Sequence, residues 1–316
     1  MVTLDDVRAA AVRIRGVAVR TPLLEVGPLA LKCENLQPMG AFKVRGACNM
    51  IAQLPPASRA AGVITYSSGN HGQAVALVAQ RFGSPAVVVM PETAPAIKVA
   101  GTRRYGAEVI FAGTTTLQRK ARAEEERDRR GLTMVPPFDD PWVIAGQGTV
   151  GLEILEQCPS VTTVFVPAGG GGLISGVSAA IKGMRSGVRI VGVEPEGAAK
   201  MSRSRAAGHP VTLDEVSSIA DGLLAVRPGD LTFEHVQTLV NDVITVTDDQ
   251  IRAAVRWLFG EANLVAEPSG AAAVAGALAL SGVDGLTSGL SGDGTSVAIV
   301  SGGNVDPVAY ASYITQ

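Results

Sequence analysis

Residues 161–176 read VTTVFVPAGGGGLISG, and this stretch decides the fold. Its opening run is β-branched and aromatic, which predicts a buried strand over 161–166. Four consecutive glycines follow, and apolar residues then return at helical spacing, which predicts a helix over 174–185. A second apolar run at 189–193 closes on Glu194, and a helix over 148–158 leads into the whole unit. Strand, glycine loop, helix and strand in that order make one parallel crossover, whose ligand-binding end is the loop leaving the strand.

The same alternation fills the chain upstream. Short β-rich runs at 63–66, 86–90 and 109–112 are separated by helical stretches at 71–82, 95–105 and 115–130. The last of these is so rich in Arg and Glu that it reads as a solvated face laced with i,i+4 pairs. The chain opens on a helix, since Thr3 precedes Asp5 and Asp6 as an N-cap precedes first-turn acids, and Val7, Ala10, Ala11 and Ile14 share a face. A helix over 48–54 stops at Pro55-Pro56. Helices at 248–260 and 268–280 lead to a last strand over 297–300. The expected fold is α/β and two-lobed, with parallel-rich open sheets flanked by helices. The large lobe takes 1–61 and 139–316, and a small lobe at 62–138 is inserted in it.

An apolar content of 47% against 18% charged residues supports a large core and argues against disorder. A net charge of −2 offers no basic field for phosphodiester backbones, so nucleic acid is not an expected partner and a small neutral or anionic ligand is. Cys33, Cys48 and Cys158 show no paired spacing, which argues against a disulfide framework or a zinc site and for a reducing compartment, the cytoplasm. The N-terminus lacks a basic-then-apolar signal pattern, and the run of small apolar residues at 271–280 is too short to span a bilayer, so no membrane association is expected.

Four loops carry the candidate chemistry. Gly169, Gly170, Gly171 and Gly172 would expose successive N–H groups at a helix start, a cradle for a phosphate monoester. A dinucleotide is the rival ligand, because Glu194 closes the next strand about twenty residues on, where a ribose-binding acid would sit. The spacing tells against it: Gly169, Gly171, Ile174 and Gly170, Gly172, Ser175 both miss the final glycine of that fingerprint. The second loop, SSGNHG at 67–72, leaves a strand for a helix and holds more polar and glycine residues than a cap requires. Its N–H groups would accept a carboxylate, Asn70 would donate to a ring oxygen, and the single His71 makes no metal site. In the third, SGGN at 301–304, the Ser301 hydroxyl would bond a heteroaromatic nitrogen without forcing its protonation as a carboxylate would. The fourth is Lys43 in KCENLQPMGAFKVRG at 32–46, an amine that must shed its proton near neutral pH to act as a nucleophile; burial and the charge of Arg45 would promote this.

A phosphate cradle, an amine, a carboxylate cradle and a pyridine-nitrogen partner together describe pyridoxal phosphate with an amino-acid substrate. The chain resembles the fold type II, tryptophan synthase β-like, pyridoxal-phosphate enzymes, most closely the threonine/serine dehydratase and serine racemase group. The resemblance rests on KCENLQPMGAFKVRGA at 32–47, SSGNHGQA at 67–74, GQGTVGLEI at 146–154, PAGGGGLISG at 167–176, GVEPEG at 192–197, IADGL at 219–223 and SGGNVD at 301–306. It implies Lys43 as Schiff-base lysine and general base, with Phe42 against the cofactor. Asn70 would meet the ring hydroxyl, Gly169 to Gly172 the phosphate and Ser301 the pyridine nitrogen. Ser67, Gly69 and His71 would hold the substrate carboxylate. A homodimer is implied as well.

The implied activity is that of a dehydratase, or ammonia-lyase, converting L-threonine, L-serine or a related 3-hydroxy amino acid to a 2-oxo acid and ammonia. The alternative is serine (amino-acid) racemisation, in which Ser68 would act as acid/base opposite Lys43; the PFDD segment at 137–140 looks more like the dehydratase form. Metal-binding members use Glu194, a carbonyl near Ala198 and an acid two positions later. Here that position is Lys200, whose ammonium would pair with Glu194, so no divalent-metal site is expected. With ten residues after SGGNVD, no C-terminal regulatory domain is expected either.

Overall fold

The computed structural model describes residues 1–27, 29–67, 69–94, 96–281 and 294–315. Among them the strands are β1 (Leu23–Val26), β2 (Leu29–Cys33), β3 (Val63–Tyr66), β4 (Ala86–Met90), β5 (Glu108–Phe111), β6 (Thr133–Met134), β7 (Val161–Pro167), β8 (Arg189–Pro195), β9 (Asp242–Val246) and β10 (Thr295–Val300). They form a six-stranded sheet in the order β1-β2-β10-β7-β8-β9 and a four-stranded sheet in the order β5-β4-β3-β6. Neighbours run parallel throughout except the β1–β2 hairpin. The α/β reading with parallel-rich sheets flanked by helices is borne out.

The strand β7 shows why its sequence is apolar without alternation. Phe165 packs with Ala271 and Val274 of helix Pro268–Ser281 on one face, while Val164 and Val166 pack with Ile174, Val177 and Ile181 of helix Gly172–Met184 on the other. Where both faces are covered, as at Val164, Phe165 and Val166, successive side chains are apolar, while exposed Thr162 is polar. Ile174 and Ile181 are fully buried, so truncating either to Ala would cost about 2–5 kcal/mol. The smaller sheet is layered likewise: Val88 and Met90 face Val75 and Val78 of helix Asn70–Arg81, and Val87 and Val89 face Ala123 of helix Thr116–Arg130. That last helix does carry i,i+4 pairs, yet its Glu126 is buried beneath Arg122 and Arg130.

Two helices start earlier than their sequences suggest. The helix expected from 48 begins at Lys43 and runs Lys43–Gln53, and the one expected from 148 runs Pro141–Gln157, capped by Asp140. The misleading residues are Gly46, Gly146 and Gly148, which look like breakers. They are crossing points instead. A side chain on Gly46 would overlap the Gln147 amide, one on Gly146 would reach 2.5 Å from the Arg45 carbonyl, and one on Gly148 would reach 2.7 Å from the Gly176 carbonyl. Helix Pro141–Gln157 is thereby clamped at backbone distance between the helix that Lys43 opens and the helix that the four glycines open. Both candidate groups sit on one rigid spine.

Candidate active site

Three helices begin among the loops of interest without a side-chain cap: Lys43–Gln53 after Phe42, Asn70–Arg81 after Gly69 and Gly172–Met184 after Gly171. Thr3, Thr115, Asp140 and Thr247 cap helices elsewhere. An uncapped start leaves first-turn N–H donors and the positive end of the helix dipole for an anionic ligand.

Lys43 donates from Nζ to the Pro137 carbonyl at 2.7 Å and lies 5.1 Å from the Phe42 ring centroid. Burial alone brings its pKa down to about 8. The expected help from Arg45 is not there. Positions two apart on a helix face different sides, and Arg45 turns away to bond Glu34 and Glu153, each through two nitrogens. Its charge is spent within that buried network, which also holds Lys32 against Glu153.

The Lys43 segment is tied to the last loop. Ala41 bridges Gly302, Phe42 N–H donates to the Ser301 carbonyl at 3.1 Å, and Gly303 N–H donates to the Gly40 carbonyl at 2.9 Å. Asn304 donates to the Met39 carbonyl and to Asn70 Oδ1, each at 2.8 Å, so Asn70 joins the same cluster. Gly40, with φ +80°, must be glycine here, because a side chain would run into Asn304. Ser301 is buried, and its hydroxyl has only a long contact of 3.4 Å to the Ser269 carbonyl, leaving it free to reorient toward a better partner.

Asn70 donates from Nδ2 to Glu267, a residue the sequence did not single out. Glu267 is buried and its pKa is pushed up to about 8 by burial first and by the charge of Asp221 next. Its carboxyl lies over Gly302, where any side chain would overlap it. The one available signal was a lone acid inside the apolar stretch LVAEPSGAAAV at 264–274.

His71 places Nε2 3.0 Å from the Val135 carbonyl, and its buried Nδ1 has no protein partner. Burial, and then the charge of Lys43, press its pKa down to about 3, so the ring is neutral. Segment 135–138 therefore gathers His71, Lys43 and, through Phe138, the glycine loop. Phe138 covers Gly170 so closely that a side chain there would overlap its ring, and Gly171, with φ +101°, would strike Thr232 at 2.7 Å; a Cβ on Gly172 would lie 3.0 Å from Phe138 and one on Gly169 3.2 Å from the Gly222 carbonyl, both tight contacts. The Thr232 hydroxyl donates to the Gly170 carbonyl at 2.7 Å. A loop closed to side chains at Gly170 and Gly171 and tight at Gly169 and Gly172, opening an uncapped helix, fits a phosphate, and the orphaned His71 nitrogen and loosely held Ser301 hydroxyl fit further polar atoms of a ligand. Ser67 accepts the Gly69 N–H at 3.2 Å, and Ser68 lies outside the described residues. The cysteines are buried and free, with Cys33 and Cys48 pushed by burial up to about 12, so neither competes as a nucleophile.

Known proteins resemble this chain over nearly its whole length. The family described as pyridoxal-phosphate dependent enzyme matches residues 14–302. An L-threonine ammonia-lyase from Thermotoga maritima is 44% identical over 315 residues, covering 97% of this chain and 76% of that protein. A serine racemase from Schizosaccharomyces pombe is 40% identical over 322 residues, covering 99% of this chain and 98% of that one. Among solved structures, maize serine racemase superposes with a TM-score of 0.93 at 39% identity, over 98% of this chain and 96% of that one.

Proposed function

We propose, from the premise that this chain belongs to the pyridoxal-phosphate dependent enzyme family, that it is a threonine/serine dehydratase: it releases ammonia from a 3-hydroxy amino acid and leaves a 2-oxo acid. The carrying observation is the setting of Lys43, an amine drawn down to about 8 by burial, donating to the Pro137 carbonyl and, among the described residues, paired with no carboxylate. Such an amine can condense with an aldehyde and, once freed, take a proton from carbon near neutral pH.

When bound, pyridoxal phosphate supplies an aldehyde for that condensation and a ring that draws electrons from the substrate α-carbon. Gly169 to Gly172 would hold its phosphate, Asn70 its ring hydroxyl and Ser301 its pyridine nitrogen, with Phe42 beside it. Ser67, Gly69 and His71 would hold the substrate carboxylate at the start of helix Asn70–Arg81. Lys43 would accept the α-proton at Nζ, and Pro137, as its carbonyl partner, would aim the amine. The leaving hydroxyl would depart as water, taking a proton that balances the one Lys43 accepts, and a second water would hydrolyse the released enamine, as its imine, to the 2-oxo acid and ammonia. A serine hydroxyl at Ser301, rather than a carboxylate, would leave the bound ring's nitrogen neutral, which would favour prompt loss of a β-substituent.

The second reading, racemisation with Ser68 as the acid/base opposite Lys43, is favoured by the fold's similarity to maize serine racemase. Chiral analysis of L-serine after incubation decides between them: pyruvate in excess is expected, and abundant D-serine with little pyruvate overturns the order. Lys43→Ala is expected to abolish both products and the bound cofactor's yellow absorbance. The proposal includes a small lobe at 62–138, built on the four-stranded sheet, and a cytoplasmic homodimer. Light scattering at a dimer's mass is the expected result for the last. Among the described residues no helix is long and apolar enough to cross a membrane.

A further inference from the structure

Lys200 is fully buried, yet the reaction just described gives it nothing to do. Its Nζ donates to three backbone carbonyls, those of Ala168 at 2.8 Å, Ala198 at 3.1 Å and Leu223 at 3.0 Å, and stands 3.4 Å from the buried carboxylate of Glu194. A neutral amine has two N–H groups, so three carbonyl bonds require the ammonium. The oxygens come from three different segments: Ala168 between β7 and the glycine loop, Glu194 and Ala198 at and beyond the end of β8, and Leu223 in the turn Asp221–Leu223. Gly169 packs directly on that turn. Glu194 is also held from the other side, where its oxygens accept the N–H groups of Met201 at 3.0 Å and Ser202 at 2.8 Å.

Three carbonyls and one carboxylate converging on a point are the donor set of a hard cation, not of an apolar core. Metal-binding members of the group this chain resembles hold a divalent metal at this place, and the residues of this chain do not fit one. The position that would supply a second carboxylate is Lys200, and its own nitrogen fills the centre of the oxygen set. We propose that Lys200 is a built-in cation: its ammonium replaces a free metal ion, ties the strand-end turns together and fixes the glycine loop, and removing the side chain converts the cage into a site for a free monovalent cation. Lys200 is a positioning residue in this account, touching neither cofactor nor substrate. Only its effect on cofactor binding rests on the reading of Gly169 to Gly172 as the phosphate cradle; the cation site itself does not.

The test uses Lys200→Ala and the wild-type chain, each prepared without cofactor. Melting temperature is followed against potassium or ammonium chloride, with choline chloride at matched ionic strength as the control. The variant is expected to melt several degrees below wild type and to recover with potassium or ammonium but not with choline, while wild type responds equally to all three. Recovery of affinity for pyridoxal phosphate, read by fluorescence, should track the recovery of melting temperature. A variant indifferent to the identity of the cation overturns the proposal, as does a wild-type protein stabilised by magnesium in a manner that chelator reverses. If Lys200→Ala does not fold, Lys200→Met keeps the test open, since its chain fills the volume without donating. It should be destabilised with no cation recovery, and wild-type stability in Lys200→Met also overturns the proposal. Cation recovery without any change in cofactor affinity would leave the cage standing and count instead against the phosphate cradle.

Discussion

Two amines, half-buried Lys43 at the start of its helix and fully buried Lys200 beneath the glycine loop, have been brought by desolvation to the same pKa of about 8. Their surroundings make them opposites. Among the described residues Lys43 has one carbonyl acceptor and no carboxylate, so losing its proton leaves that bond intact and frees a lone pair. Lys200 has three carbonyls and Glu194, so losing its proton would orphan at least one buried acceptor, at about 1–3 kcal/mol, and strand a buried carboxylate. Depth of burial sets how costly an ammonium is. The number of acceptors around it sets whether the amine is free to react.

The sharpest way to break this comparison is to make one substitution at both sites. Lys43→Met should lower turnover at least about 10³-fold, the span of acid–base catalysis alone, without lowering the melting temperature. Lys200→Met should do the reverse to stability. The pH dependence of stability separates them from wild type by sign. A lysine whose pKa falls from 10.5 unfolded to about 8 folded makes the folded state bind fewer protons between those values, so stability rises with pH across that window. Lys43→Met should erase its share of that rise in denaturant melts from pH 8 to 10; an unchanged slope counts against an amine titrating there.

The next effect is purely one of stability. Arg45 sits two positions from Lys43 on the same helix and is paired twice, with Glu34 and Glu153. Arg45→Met would leave Glu34 buried without its cation, a loss of about 3–5 kcal/mol and a fall in melting temperature of roughly 10 °C. Turnover of the surviving folded protein should stay within about threefold of wild type. A collapse of activity at unchanged stability would mean that Arg45 does act on Lys43.

These cases show what the sequence could and could not say. The strand at 161–166, the glycine loop and the polar loops after β3 and β10 are local patterns, set by propensity and by backbone rules that operate over a few residues. They were legible. Gly46, Gly146 and Gly148 were not, because their use is a contact between helices distant in sequence, and locally they imitate breakers. The direction of Arg45 depended on Glu153, more than a hundred residues away. Glu267 acquires its character from Asn70, Asp221 and Gly302, and of the Lys200 cage only Glu194 and the carbonyl near Ala198 were foreseen, from the resemblance, while the carbonyls of Ala168 and Leu223 leave no mark in the sequence.

Glu267 supplies a smaller and separable effect, a buried acid to set beside the two amines. Its pKa is raised from 4.5 to about 8, so the folded state binds more protons than the unfolded one between those values and stability falls as pH rises through the window. Glu267→Gln keeps an oxygen for Asn70 and removes the titration. Wild type and variant should be closest in stability near pH 5 and diverge toward pH 8 in the variant's favour, with a slope difference of about 1.4 kcal/mol per pH unit at most. Parallel melting curves across that range would show that Glu267 is already ionised at low pH.

The smallest effect concerns the contact that joins the two regions. Lys98, on helix Ala96–Arg103 beside Gly69, forms an ion pair with Asp221, in the turn whose Leu223 carbonyl Lys200 holds. Asp221 is half exposed, and an ion pair with one partner in water contributes about 0–1 kcal/mol. If the cage around Lys200 fixes that turn by itself, Lys98→Ala should move the melting temperature by no more than about 2 °C and leave cofactor affinity unchanged. Potassium and choline should remain equivalent for the variant, as for wild type. If cofactor affinity falls instead, the turn is steered from the Lys98 side, and the two amines belong to one coupled site rather than to two independent ones.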